Sequence, residues 1–153
     1  MRTNHAPAAG LAAVPQVSPG HRLVPATIQF FDQIARTVWI ECPDWCTDDH
    51  VENPQLAVED IVHTSDSQDF GIHTLGSPRL VFELYARITS DAYDRNPQLR
   101  QATVAVDDGD GEYAFLSPDM ADDLADRLVA FASRIRQLSR TARAHQQQAG
   151  VSA

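Results

Sequence analysis

The sequence predicts an α+β fold in which a small antiparallel sheet of four to five strands packs against one long C-terminal helix and carries a Cys/His loop. Three observations lead to this prediction. Residues 79–89 alternate as a half-buried strand does, residues 108–111 form a hairpin signal, and residues from 118 onward have helical periodicity. Strands that precede a single helix are typical of the α+β class.

The clearest strand covers residues 79–89. One of its faces is formed by Leu80, Phe82, Leu84, Ala86 and Ile88. Shorter strands are predicted at 27–31, 36–41, 61–65, 102–107 and 112–116, where β-branched, aromatic and aliphatic residues are frequent. The last two flank Asp108-Gly109-Asp110-Gly111, and Asp-Gly supplies the positive φ that a tight turn needs. These two strands are therefore expected to pair.

The C-terminal helix is predicted to begin after Ser117, a good N-cap, with Pro118 at the first helical position. Its apolar residues recur at helical spacing and form one stripe of Met120, Leu124, Leu128, Phe131, Ile135 and Leu138. We expect this stripe to lie on the apolar face of the sheet.

The chain of 153 residues has room for one domain and two tails. Residues 1–26 are rich in Ala, Pro and Gly and are predicted to be a disordered tail. Residues 27–142 are predicted to be the α+β domain, and residues 143–153 a second disordered tail.

Charge and composition limit the function classes. The formal net charge is −9 and all basic residues are arginine, so general binding to nucleic acid or an anionic membrane is disfavoured. The N-terminal stretch is interrupted by Pro7, Gly10 and Pro15, so no export signal is predicted, and no run is long enough to span a membrane. We expect a cytoplasmic protein with reduced cysteines.

The chemistry-bearing residues are Cys42, Cys46, His50 and His63. Two thiols and two imidazoles form a donor set suited to tetrahedral zinc, and the sequence predicts a structural site. If residues 43–50 form a helical turn, the first three ligands point to one side, and His63 returns from the following strand. Carboxylates that hydrogen-bond the imidazoles are expected among Asp44, Asp48 and Asp49.

Other interpretations of the cluster remain open at this stage. The two thiols and the histidines could be unrelated, Cys42 and Cys46 could form a disulfide, or a cysteine and a histidine could form a catalytic pair. His73 is a spare candidate ligand, although a loop histidine explains it as well. Trp45 is expected either to cover the site or to contact a partner.

The stretch Cys42-Pro43-Asp44-Trp45-Cys46, followed by His50 and His63, resembles the Cys-Pro-x-Trp-Cys…His…His signature of a family of small actinobacterial proteins known only as a domain of unknown function. The step from Leu116 through Ser117 and Pro118 into the C-terminal helix also resembles the C-terminal half of that family. The resemblance implies the same four positions as the shared site, and it implies no activity.

The function predicted from the sequence is a non-catalytic interaction or regulatory module with a structural zinc site and an unidentified protein partner. One alternative is a DNA-associated regulator, which the negative charge disfavours. Another is a small zinc- or thiol-dependent enzyme, which needs three protein ligands and an open position on the metal. The number of protein ligands distinguishes the structural site from the catalytic one.

Overall fold

The computed structural model describes residues 16–31, 34–78 and 80–151. Within these ranges the chain forms seven strands and one helix, with a 3₁₀ turn before the third strand. They are β1 (His21–Ile28), β2 (Arg36–Pro43), the 3₁₀ turn (Val58–Asp60), β3 (His63–Thr64), β4 (Gln68–His73), β5 (Leu80–Ser90), β6 (Thr103–Asp107), β7 (Tyr113–Leu116) and α1 (Pro118–Val151). An antiparallel sheet followed by one long helix confirms the α+β class.

The first sheet is a two-stranded antiparallel ribbon of β1 and β2, in which His21 pairs with Pro43 and Ile28 with Arg36. Because β1 begins at His21, it includes residues that the sequence analysis assigned to the tail at 1–26, and that boundary was wrong for 21–26. Residues 1–15 of the predicted tail lie outside the described residues. Pro25 is accommodated because the neighbouring amide on its side of the strand, that of Thr27, faces away from β2.

The second sheet is built around β5. Strands β3 and β4 pair with successive parts of one edge of β5, and β6 pairs with the other edge and then with β7. The strands predicted at 61–65, 79–89, 102–107 and 112–116 are present with small shifts in their ends. Strand β4 covers Gln68–His73, where the sequence predicts no strand.

The hairpin between β6 and β7 forms where it was predicted. Gly109 has a φ of 80°, and its amide donates to Oδ1 of Asp107 at 3.1 Å. A Cβ atom at Gly109 would also lie 3.1 Å from the ring of Tyr85. Both the backbone conformation and the close approach therefore favour glycine at this position.

A small apolar core lies on the first sheet. Ala26 of β1, Ile40 of β2 and Ile61, just after the 3₁₀ turn, are buried together. Partly buried side chains surround them: Val24, Ile28, Val38 and Val58. The segment between β2 and β3 is thus anchored to the first sheet by hydrophobic contact next to the Cys/His cluster.

Helix α1 begins as predicted but is longer and less buried than expected. Oγ of Ser117 accepts the amide of Met120 at 3.3 Å, which is an N-cap contact. The helix continues to Val151, so the predicted tail at 143–153 is helical as far as that residue. It contacts β6 and β7, yet most of its apolar stripe is exposed, and Phe131 is 60% exposed. The expectation that the stripe packs on the sheet was therefore wrong.

None of the helices in the described ranges combines the length with the apolar character that a membrane span requires.

Candidate metal centre

The two cysteines lie on a tight turn at the end of β2, residues 42–46, which we call the cysteine turn. Cys42 is the penultimate residue of β2, and the amide of Cys46 donates to the carbonyl of Pro43 at 3.0 Å. The amide of Asp44 donates to the carbonyl of Gly20 at 2.9 Å and fixes the turn to the start of β1. Residues 43–50 do not form the predicted helical turn, because this reverse turn continues directly from the strand.

Arg22 holds the cysteine turn from the neighbouring strand. It pairs with Cys42 in the β1–β2 register. Its guanidinium donates to the carbonyls of Pro43 at 3.1 Å, Asp44 at 3.0 Å and Cys46 at 2.7 Å. The planar donors of arginine suit three convergent carbonyls. The Arg22 side chain therefore fixes the backbone of the turn that contains both cysteines.

His50 is held by the loop that follows the cysteine turn. Its carbonyl accepts the amide of Thr27 of β1 at 2.9 Å, so the loop runs along the outer edge of that strand. Just before it, Oδ1 of Asp49 accepts the amides of Val51 at 2.9 Å and Glu52 at 3.1 Å. The Asp49 carboxylate thus organises the turn that carries His50, through backbone amides.

His63 comes from β3, and Asp48 fixes this strand to the loop. Oδ2 of Asp48 accepts both the amide of Thr64 at 3.0 Å and its hydroxyl at 2.6 Å. The amide of Thr47 donates back to the carbonyl of Thr64 at 2.9 Å. The expectation that Asp48 and Asp49 hydrogen-bond the imidazoles is therefore replaced by a different role, since these carboxylates accept backbone amides and the Thr64 hydroxyl.

These elements bring the four predicted residues together in one buried cluster. Cys42 is 0% exposed, Cys46 1%, His50 7% and His63 8%. One donor atom from each lies within 4.8 Å of the other three. Nε2 of His50 is 3.7 Å from Sγ of Cys42 and 3.6 Å from Sγ of Cys46.

The sulfur–nitrogen distances match the edges of a zinc tetrahedron. Zinc–sulfur bonds of about 2.3 Å and zinc–nitrogen bonds of about 2.0–2.1 Å separate a sulfur from a nitrogen by about 3.6 Å at tetrahedral angles. Both sulfur contacts of His50 have this length. The donor set and its spacing therefore fit a zinc ion.

The protonation states also suit metal binding. Burial lowers the pKa of His63 to about 4, and the nearby charge of His50 acts in the same direction. Burial likewise lowers the pKa of His50, against the opposing charges of Asp48 and Asp49. Both imidazoles are thus neutral at pH 7, the form that binds a metal.

The Cys42 thiol of the metal-free cluster is not activated as a nucleophile. Burial raises the pKa of Cys42 to about 12, and the interaction with Cys46 acts in the same direction. Both cysteines are free and buried, so the structure contains no Cys42–Cys46 disulfide. A buried thiol with a raised pKa is a poor nucleophile until a metal replaces its proton.

One polar atom of the cluster lacks a partner. Nδ1 of His63 is buried and makes no hydrogen bond within the described part of the chain. The rings of His50 and His63 meet edge to face, with their centroids 5.1 Å apart. An unsatisfied buried nitrogen is costly, and a bond from this atom to a metal would remove that cost.

Two other predicted residues lie outside the cluster. His73 is exposed on β4, where its Nδ1 lies 2.8 Å from the carbonyl of Pro78, so it is not a fourth ligand. Trp45 is half-buried and lines a shallow groove together with Ile88 of β5 and Val104 of β6. Trp45 belongs to the cysteine turn, and the groove that it lines is completed by the second sheet.

Arg22 is the residue of the site that the sequence analysis missed. It falls within the predicted tail, and only the pairing register of β1 with β2 places it opposite Cys42. Residues 23–26 (Leu-Val-Pro-Ala) do not alternate between apolar and polar side chains, and they include a proline. The sequence therefore gives too weak a strand signal to predict this pairing.

Comparison with known proteins identifies a family and no activity. A family model described as a domain of unknown function, DUF6907, matches residues 26–144, which include the cluster, the second sheet and most of α1. No match was found among curated proteins, and none among solved structures. The chain therefore belongs to the DUF6907 family of domains of unknown function.

Proposed function

We propose that Cys42, Cys46, His50 and His63 bind one zinc ion as a structural site, and that the domain is a non-catalytic interaction or regulatory module. The observation that carries this proposal is the convergence of four buried donor residues whose ligand atoms lie within 4.8 Å of one another. Two sulfurs and two nitrogens are a donor set typical of structural zinc sites.

The ligand count favours structure over catalysis. Four protein ligands complete the zinc tetrahedron, whereas a catalytic zinc keeps a position open for water or substrate. All four residues are also at least nine-tenths buried, which restricts the access of a substrate to the ion. A zinc- or thiol-dependent enzyme is therefore the weaker candidate.

The placement of the ligands gives the ion a mechanical role. Cys42 belongs to β2 of the first sheet and His63 to β3 of the second, while Cys46 and His50 lie on the connection between them. An ion bound to all four would link the two sheets and fix the segment 46–63. Binding of the ion would thus contribute directly to folding free energy.

The first experiment measures bound metal and thermal unfolding with and without a chelator. We expect about one zinc per chain and a lower Tm after chelation, because the ion binds the folded state alone. Cys46→Ser and His63→Ala should lose the metal. His73→Ala is the matched control, since this histidine lies outside the cluster, and it should bind zinc as the unsubstituted chain does.

Hydrogen exchange then tests the mechanical role. In Cys46→Ser, amides within 42–63 should exchange faster, whereas those of α1 should be unchanged, because the helix contacts β6 and β7 and supplies no residue to the cluster. Zinc binding that leaves exchange in 42–63 unaltered would contradict the structural role. A substrate-sized ligand that displaces one protein ligand from the zinc would favour the enzyme.

A further inference from the structure

The part of the molecule that the metal centre leaves unexplained is helix α1. It has 34 residues, which corresponds to a length of about 50 Å. Among the residues of its apolar stripe, Met120 is 54% exposed, Leu128 41%, Phe131 60%, Ile135 49% and Leu138 69%. An amphipathic helix takes most of its stability from burial of its apolar face, so this face requires a covering surface.

The spacing of the stripe is that of a coiled-coil seam. From Leu124 onward the positions advance by alternating steps of four and three residues through Leu128, Phe131, Ile135 and Leu138, and the same steps lead to Ala142. Small residues border one side of this seam at Ala125, Ala132 and Ser139. Such a seam fits a second helix of the same kind at close approach.

The charges along α1 indicate which helix fits. The first third carries Asp119, Asp122, Asp123 and Asp126 and a single arginine, Arg127. The remainder through Gln148 carries Arg134, Arg136, Arg140 and Arg143 and no acidic residue. A second copy aligned antiparallel places each acidic segment beside a basic one, whereas a parallel copy places like charges together.

We propose that α1 is a self-association helix, and that two copies of the chain pair antiparallel through the stripe. One register of the two helices pairs the apolar residues along the whole seam. It sets Phe131 against the second copy's Ile135, Leu128 against its Leu138 and Leu124 against its Ala142.

The area available is sufficient for a stable pair. Five apolar side chains that are 41–69% exposed, at about 100 Å² each, give about 500 Å² per chain and about 1,000 Å² for the pair, which reaches the roughly 1,000 Å² of a biological interface. The proposal does not depend on the metal centre, which lies on other elements of the fold.

The first test is the mass of the full chain in solution, measured by sedimentation equilibrium over about a hundredfold range of concentration. We expect twice the monomer mass of 16.9 kDa at the upper end. Phe131→Glu should weaken dimerisation by at least about a hundredfold, because it places a charge in the seam. A monomer at every concentration would overturn the proposal.

Val129→Glu is the matched control for Phe131→Glu. Val129 is 66% exposed, much as Phe131 is, but it lies on the opposite side of the helix. It should dimerise as the unsubstituted chain does, with unchanged helix content by circular dichroism. Equal weakening by both substitutions would overturn the assignment of the interface to the stripe. If Phe131→Glu fails to fold, Leu138→Glu takes its place with the same expected result.

Disulfide cross-linking tests the antiparallel orientation. Ala132 lies near the twofold axis of the proposed pair, so Ala132→Cys should cross-link to its copy on mild oxidation. Ala125→Cys, one heptad earlier, should not, because its copy lies about 20 Å away along the helices. In a parallel pair the two positions are equivalent, so equal cross-linking of both, or of neither, would contradict the orientation.

Discussion

Arg22→Gln provides a test of how the fold supports the metal centre. In the structure the Arg22 guanidinium donates to three carbonyls of the cysteine turn, at 3.1, 3.0 and 2.7 Å. Glutamine removes the charge and is too short to reach all three. The turn would then lose the contacts that hold Cys42 and Cys46 in position for the ion.

The expected magnitude follows from these contacts. A hydrogen bond to a charged group contributes about 1.5–3 kcal/mol. Because Arg22 is itself exposed and one of its bonds lies at the surface, we assign about 1–3 kcal/mol to the set rather than to each bond. At about 1.4 kcal/mol per factor of ten, zinc affinity should fall by about fivefold to a hundredfold.

The assay is competition for zinc against a chromophoric chelator. Arg22→Lys should retain part of the affinity, since one ammonium group cannot bond three carbonyls in a plane. Arg36→Gln is the matched control, because Arg36 is exposed at the opposite end of the same strand pair. If Arg22→Gln binds zinc as tightly as Arg36→Gln, the turn does not depend on the guanidinium and the reasoning fails.

Three further predictions concern the same supports and the helix. Asp48→Asn should lower the free energy of unfolding, measured in urea, by about 1–2 kcal/mol, because the Thr64 amide and hydroxyl lose a charged acceptor. Asp44→Asn is the exposed control, and equal stability of the two variants would contradict this prediction. In the metal-free protein, the pKa of His63 is about 4 in the folded state and about 6.5 in the unfolded state. The unfolded state therefore binds more protons between these two pH values. The free energy of unfolding should fall by at most about 3 kcal/mol as the pH drops from about 6.5 to 4. His63→Gln should flatten that dependence in unfolding titrations, and an unchanged slope would refute the assignment. Ser117→Ala should cost about 1 kcal/mol of stability through loss of the N-cap, whereas Ser133→Ala, in the middle of the helix, should not destabilise it.

The elements that could be predicted from the sequence are those whose signals are local. Strand β5, the Asp-Gly hairpin and the start of α1 at Ser117 each follow from a periodicity or from a turn or cap residue within a few positions. The four residues of the cluster were also predicted, because cysteine and histidine at metal-ligand spacing are informative wherever the backbone runs.

The features that could not be predicted depend on pairing across the chain. Strand β1 contains Pro25 and becomes a strand through its register with β2, which is also what brings Arg22 to the cysteine turn. Strand β4 is fully exposed and polar at one end, and it forms because β5 offers a free edge. The position of the α1 stripe is not a local property either, since helical periodicity identifies an apolar face without saying what covers it.

The most direct test of the central claim is zinc-edge X-ray absorption of the zinc-loaded full chain. We expect a shell of two sulfurs at about 2.3 Å and two nitrogens at about 2.0–2.1 Å, supplied by Cys42, Cys46, His50 and His63. The His73→Ala variant should give the same spectrum. A shell of nitrogen and oxygen alone, or one with a bound water in place of a histidine, would contradict a structural site built from these four residues.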